Sequence, residues 1–355
     1  HLECYYGVSG IGAVLHTINP RLFPEQIVYI ANHAEDRVLF TELTFVPLLE
    51  GIADQLSSVE AIVIMTDRAH MPETSLPNVH CYEELLAAQE GSLQWPTFDE
   101  RTASSLCYTS GTTGFPKGAV LHHRGLTNNA RMIFKRARVA HGATWTNVLP
   151  MFHTSGCAIA TLGCLQTASR MLMFKVFEPG ALLRLIETEK VTNITGVPTM
   201  LVAMLEALAQ TPRDVSTVQM AVSGGSMVAP ELVRQVRETF GCDFITVYGQ
   251  TELSPVVTQH HHNDSIEDIC NNVGQPMPQT EISIRDVADN KVLPIDTVGE
   301  ICTRGYCKMI EYNNNPEATA ETIDADGWLH SGDLGAMDAR GYVRVTGRVK
   351  EMIIR

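Results

Sequence analysis

The stretch Leu106-Cys107-Tyr108-Thr109-Ser110-Gly111-Thr112-Thr113-Gly114-Phe115-Pro116-Lys117-Gly118 decides how the rest of the chain is read. Thr109, Ser110, Thr112 and Thr113, with the glycines Gly111, Gly114 and Gly118, surround the lone lysine Lys117. Glycine lets the backbone turn sharply, and successive exposed N–H groups make a cradle for anions. The hydroxyls add donors, and Lys117 supplies a mobile positive charge. The apolar run at 103–108 reads as a buried strand, so the loop leaves a strand end, where α/β proteins place their ligands. The P-loop G-x-x-x-x-G-K-[ST] is a different pattern. Here Pro116 stands where its second glycine belongs, removing a backbone donor, and Gly118 stands where its metal-binding hydroxyl belongs.

A chain of 355 residues exceeds the usual size of one core, so two or three subdomains are expected, and 45% apolar content suffices to fill them. A net charge of −14 argues against nucleic acid or an anionic membrane as the main partner. Any anion bound here needs a locally positive site. The nine cysteines contain no C-x-x-C pair, and Cys302 and Cys307 are the nearest two. That pattern fits a reduced, cytoplasmic protein better than a disulfide framework or zinc site. The most apolar stretch, 157–177, is broken by Gln166, Ser169, Arg170 and Lys175 and does not read as a membrane span. No signal peptide is read at the N-terminus. The start at His1 and the stop inside the apolar run Met352-Ile353-Ile354 read as a chain truncated at both ends.

Along the chain, residues 1–20 read as one helix with a turn at Asn19-Pro20, and 23–33 as a helix opened by Pro24. Strands at 37–40 and 61–65 alternate with helices at 46–54 and 81–88, an α/β rhythm implying parallel strands. Polar residues 90–101 read as a linker, and 124–138 as a long helix. Leu149-Pro150-Met151-Phe152-His153-Thr154-Ser155-Gly156 follows an apolar strand. By itself His153 is read equally as a pocket wall or as a satisfied histidine under a loop. Helices at 179–190, 200–210 and 230–240 alternate with strands at 191–196 and 219–222. The last of these strands ends in Ser223-Gly224-Gly225-Ser226, small enough for a flat group to approach the backbone. Ile245-Thr246-Val247-Tyr248-Gly249-Gln250-Thr251-Glu252 then delivers an aromatic ring, a hydroxyl and a carboxylate from a β-branched strand. Alone, Glu252 also reads as a solvated loop carboxylate. His260-His261-His262 cannot chelate one ion well from a strand, since neighbours point to opposite faces, and reads as a polar loop. From Gly274 the texture changes to short alternating strands at 281–285, 299–304 and 342–346. Trp328-Leu329-His330-Ser331-Gly332-Asp333 and Gly347-Arg348-Val349-Lys350-Glu351 close the set of motifs.

Thr-Ser-Gly-Thr-Thr-Gly-Phe-Pro-Lys-Gly resembles the phosphate-loop signature of the adenylate-forming superfamily, and the downstream motifs follow in that superfamily's order. Thr17-Ile18-Asn19-Pro20-Arg21-Leu22 and the residues after it are similar to medium-chain fatty-acyl-CoA and methylthio-propionate CoA ligases. The fold so implied is α/β: two parallel-sheet subdomains at 1–105 and 106–270 and a distorted β-barrel subdomain at 271–346. Residues 347–355 would form a hinge, with Lys350 at its pivot, to an absent C-terminal α+β domain.

The activity implied is ATP-dependent conversion of a carboxylic acid to an acyl-adenylate and transfer to coenzyme A. By resemblance, Thr109, Ser110, Gly111, Thr112, Thr113, Gly114 and Lys117 hold the phosphates, and Thr109 and Glu252 hold Mg²⁺, for which a carboxylate is a suitable hard ligand. Tyr248 stacks on adenine, Thr251 donates to the α-phosphate, and Asp333 accepts from the ribose hydroxyls. Gly224, Gly225, Ser226, Val247, Gly249, Gln250 and Arg348 complete the nucleotide site. His153 lies by the substrate carboxylate, while Cys157, Val197, Pro198 and Gly224 line the acyl tunnel; Val197 and Pro198 equally suit a helix start. Amino-acid-activating relatives resemble Phe-Asp-x-Ser where this chain has Phe152-His153-Thr154-Ser155, so no anion awaits an ammonium group. The expected acid is short to medium and uncharged at its tail. A nucleotide-binding module with little turnover, or a ligase for another class such as aryl acids, is the alternative. A homodimer is left open.

Overall fold

The structure, a computed structural model, describes residues 1–109 and 115–351. Two compact units are present, one formed by 1–120 with 311–316 and the other by 121–310 with 317–355.

In the first unit, Pro24 stands in the first turn of helix Pro24–His33, whose Ile27 and Ala31 pack on a three-stranded parallel sheet through Ile62 and Ile64. Val38–Thr41, Ala61–Ile64 and Val79–Cys81 make up that sheet. A second sheet has the order Leu15–His16, Ala103–Thr109, Lys117–His122, Glu311–Tyr312. Residues 1–20 are therefore not one helix. Helix Leu2–Gly10 ends, Gly12 takes φ +82°, and the turned chain supplies strand Leu15–His16, with His16 opposite Leu106. The helix expected over 46–54 is likewise shorter: Val46–Glu50 stops at Gly51 and a 3₁₀ turn, Ala53–Gln55, follows.

In the second unit, a seven-stranded sheet runs Gln275–Pro276, Val256–Gln259, Asp243–Gly249, Met220–Gly224, Asn193–Thr195, Thr144–Asn147, Arg170–Met173. The five strands from Asp243–Gly249 to Arg170–Met173 are parallel; Val256–Gln259 runs antiparallel to them, and Gln275–Pro276 antiparallel to it. Alternate residues of a strand point to opposite faces. Ala221 and Phe244 accordingly pack with Leu182, Ile186, Leu201 and Val233 of three helices, whereas Met220, Val222 and Ile245 pack with Ile133, Phe134 and Trp145. Helices thus cover both faces, the doubly wound arrangement expected for parallel strands.

The antiparallel strands Thr280–Arg285, Gly299–Gly305, Leu329–Met337 and Val343–Arg348 pair in sequence order. They form an open sheet rather than the expected barrel, because its first and last strands do not pair with each other. His260 opens the loop expected from sequence, between strand Val256–Gln259 and helix Ile266–Asn271, but it is not solvated. His260 is fully buried, with Nδ1 2.7 Å from Thr246 Oγ1 and Nε2 2.8 Å from Asn272 Oδ1. All nine cysteines are free thiols. Among the described residues, no helix is long and apolar enough to cross a membrane.

Candidate active site

In the first unit, strand Ala103–Thr109 leads into the hydroxyl-rich loop, whose Ser110, Gly111, Thr112, Thr113 and Gly114 lie outside the described residues. Thr109 Oγ1 is 3.4 Å from the Lys117 carbonyl, a weak contact. The Lys117 ammonium sits over the Tyr312 ring, 4.3 Å from its centroid, a cation–π arrangement that holds the charge beside the strand. Tyr312 reaches Lys117 because Glu311–Tyr312 pairs antiparallel with Lys117–His122, and the Gly118 carbonyl accepts from Asn313 N–H at 2.7 Å. The sequence reading missed Tyr312. Nothing local in Glu311-Tyr312-Asn313 signals a partner so far back in the chain.

In the second unit, the residues singled out from sequence gather along one edge of the doubly wound sheet. Strand Asp243–Gly249 carries Val247, Tyr248 and Gly249, with Val247 opposite Gly224 at the end of Met220–Gly224. Val197 and Pro198 follow the next strand, Asn193–Thr195, and His153 follows Thr144–Asn147. All lie at or beyond the carboxyl ends of neighbouring parallel strands, the edge where such sheets bind ligands. Gly249 is required by sterics, since a β-carbon there would stand 1.9 Å from the Pro255 carbonyl oxygen.

The most connected group is Tyr248, Asp333 and Arg348. The Tyr248 hydroxyl donates to Asp333 Oδ2 at 2.7 Å, Arg348 Nε lies 2.9 Å from Oδ1, and Asp333 N–H donates to Ser331 Oγ at 3.0 Å. Burial and then the neighbouring Asp333 charge push the Tyr248 hydroxyl well above its ordinary pKa, so it stays a donor. The sequence reading used Tyr248 for its ring alone and missed this bond. Both Asp333 oxygens already have protein partners, yet a carboxylate offers about four lone-pair sites, so a vicinal diol can still be accepted. Gly225 and Ser226 are exposed at their strand end, and Gln250 and Thr251 are half-buried.

Glu252 is buried on the 3₁₀ turn Thr251–Leu253, and its carbonyl accepts from Met309 N–H at 2.7 Å. A carboxylate held largely out of water is stabilised by a counter-charge, and its hard oxygens fit Mg²⁺. His153 is exposed; its Nδ1 accepts from Ser155 N–H at 3.1 Å, and the surrounding loop desolvates the ring and lowers its pKa. Both effects favour the neutral imidazole. Cys157 is buried in the π-helical turn Ser155–Ala160, Val197 caps helix Pro198–Gln210, and Lys350 is exposed on turn Val349–Glu351. A separate polar cleft of about 370 Å³ contains none of these residues; there Arg340 is already paired with Asp268 at 2.7 Å and Asp338 at 3.0 Å.

A family model described as AMP-binding enzyme matches residues 1–313. A 3-methylmercaptopropionyl-CoA ligase of Ruegeria lacuscaerulensis is 37% identical over 371 aligned residues, 99% of this chain and 67% of that protein. A medium-chain-fatty-acid–CoA ligase of Ectopseudomonas oleovorans is 34% identical, over 99% of this chain and 66% of that one. The crystal structure of apo MatB from Rhodopseudomonas palustris superposes with a TM-score of 0.86 at 25% identity, covering 99% of this chain and 67% of that one. The chain thus spans about two thirds of the length of the curated relatives it matches.

Proposed function

The chain belongs to the family of AMP-binding enzymes, and from that premise we propose that it is the nucleotide- and acid-binding part of an acyl-CoA ligase. The reaction joins a small to medium-chain carboxylic acid to the α-phosphorus of ATP, expels pyrophosphate, and passes the acyl group to coenzyme A. The observation that carries this reading is the Tyr248–Asp333–Arg348 group beside the strand ends of Gly224 and Gly249.

In the proposed division of labour, Asp333 accepts from the ribose diol while the Tyr248 hydroxyl fixes the carboxylate and its ring faces adenine. Arg348 keeps a positive charge on the far side of Asp333. Gly224, Gly225 and Ser226 let the nucleoside lie against backbone, with Val247, Gly249 and Gln250 beside it, and Thr251 donates to the α-phosphate. Thr109, Lys117 and the loop residues 110–114 act on the outer phosphates, where an ammonium offsets developing negative charge. Glu252 and Thr109 are assigned to Mg²⁺, which when bound screens the repulsion between carboxylate and triphosphate. Neutral His153 donates a hydrogen bond to the attacking acid without titrating it, and Cys157, Val197 and Pro198 shape an uncharged tail pocket. No protein nucleophile is needed. The three-subdomain division, the hinge at Lys350 and a cytoplasmic location belong to the same proposal.

Incubating the protein with MgATP and a panel of acids, and reading pyrophosphate release and the adenine product, tests it. AMP with aliphatic acids of short to medium chain is expected. ADP as product, or a preference for amino acids or aryl acids, would overturn the assignment.

A further inference from the structure

The antiparallel sheet holds a second set of side chains that the nucleotide reading does not use. Cys302 lies directly across from His330 on the neighbouring strand, with Sγ 3.5 Å from Nδ1. Glu300 reaches the same nitrogen, its Oε2 2.7 Å away. Residues two apart on a strand share a face. The pairing register also shifts between Glu300 and Cys302, a bulge that turns both side chains toward one histidine. One donor atom from each of the three lies within 4.8 Å of the others. Behind the ring, Nε2 faces Asp324 Oδ2 at 3.5 Å.

We propose that Cys302 Sγ, His330 Nδ1 and a Glu300 oxygen bind a zinc-class divalent cation, with the fourth tetrahedral position left to water. The site uses none of the side chains assigned to the nucleotide, although His330 and Asp333 share strand Leu329–Met337, and its chemistry differs, since thiolate and imidazole select zinc over magnesium. Zn–S and Zn–N bonds of about 2.3 and 2.0 Å at a tetrahedral angle place the two donors about 3.5 Å apart. The observed Sγ–Nδ1 separation of 3.5 Å matches this edge. The shorter Glu300–His330 contact is the hydrogen bond that two metal bonds replace.

Asp324 supplies the carboxylate that orients a ligating imidazole from behind. The protons balance: Nδ1 must be unprotonated to ligate, so a ligating ring carries its proton on Nε2, where Asp324 accepts it; any proton displaced from Nδ1 and the Cys302 thiol proton go to solvent. The thiolate, Glu300 and Asp324 bring three negative charges against Arg285, whose Nη1 is 3.8 Å from Asp324 Oδ2. The His330 and Glu300 side chains are 20% and 13% exposed, which gives the ion an approach although Cys302 is buried.

Titrating the reduced protein with Co²⁺ and recording the near-ultraviolet thiolate-to-cobalt charge-transfer band tests the proposal. One equivalent should saturate the band, and Zn²⁺ should abolish it. Cys302→Ser should remove it. Asp324→Asn should keep it with affinity lower by about 10- to 100-fold. If Cys302→Ser does not fold by circular dichroism, His330→Asn takes its place and should likewise lose saturable binding. No charge-transfer band, or one that survives Cys302→Ser or His330→Asn unchanged, sinks the site.

Discussion

At the scale of the residue, His260 shows how a side chain's neighbours fix its protonation. Asn272 Oδ1 accepts from Nε2–H, and Thr246 donates to Nδ1, so the neutral ring is satisfied at both nitrogens. Burial is the largest cause acting on it and lowers its pKa, outweighing the charge of Asp264. A histidine whose folded pKa lies below the unfolded value contributes stability that is complete above about 6.5. That contribution is lost as pH falls from there through the folded pKa, because the unfolded chain takes the proton first. Denaturant unfolding at pH 7.5 and 5.5 should therefore show a drop in stability that is smaller in His260→Gln. An equal drop in both proteins would remove His260 as its source. The sequence placed this residue in its loop but did not show that it is buried. Three adjacent histidines look alike, and only the partners gathered around the first, Thr246, Asn272 and the Tyr342 ring, set it apart.

At the scale of the element, three helices that begin with proline, Pro24–His33, Pro179–Glu189 and Pro230–Phe240, start where the sequence put them or one residue later. Proline fixes φ and needs no backbone partner at a first turn, so the signal is local. Closure of a sheet is not local. Alternation marked short strands at 281–285 and 342–346, but whether the edges of their sheet meet depends on twist and on chain far away, so the barrel that the resemblance implied is an open sheet here. Helix contacts are similarly hidden until both partners are in place. A β-carbon on Gly163 would stand 2.2 Å from the Phe134 ring, which itself stacks on Trp145 at 4.5 Å. Gly163→Ala should cost about 1–3 kcal/mol, the usual penalty of overpacking. Pairing it with Phe134→Leu should cost less than the sum of the two single changes, since the smaller side chain vacates the clash. Thermal and denaturant unfolding of the four proteins measures this, and strict additivity would show that the ring does not oppose the added methyl.

At the scale of the whole molecule, the motifs ordered along the sequence prefigured the carboxyl-edge positions of Gly224 and Tyr248, because short signatures mark strand ends directly. Partnerships remained hidden: Tyr248 with Asp333, and Lys117 with Tyr312, join residues from distant stretches that no local pattern pairs. This organisation leads to a prediction that does not depend on turnover. A ligand that binds only the folded state stabilises it by RT ln(1 + [L]/Kd), about 2.7 kcal/mol at a hundredfold excess over Kd. MgATP should thus raise the unfolding midpoint of the protein even if no thioester is made. Asp333→Ala removes the proposed ribose acceptor, so its midpoint, measured against its own nucleotide-free baseline, should rise much less. Glu252→Gln should retain a response to ATP but lose the extra response to added Mg²⁺, since an amide is a poorer partner for a hard cation than a carboxylate. A wild-type midpoint indifferent to MgATP would remove the nucleotide site altogether. Equal shifts in wild type and Asp333→Ala would leave a nucleotide site but take Asp333 out of it. An undiminished magnesium response in Glu252→Gln would place the metal on other oxygens.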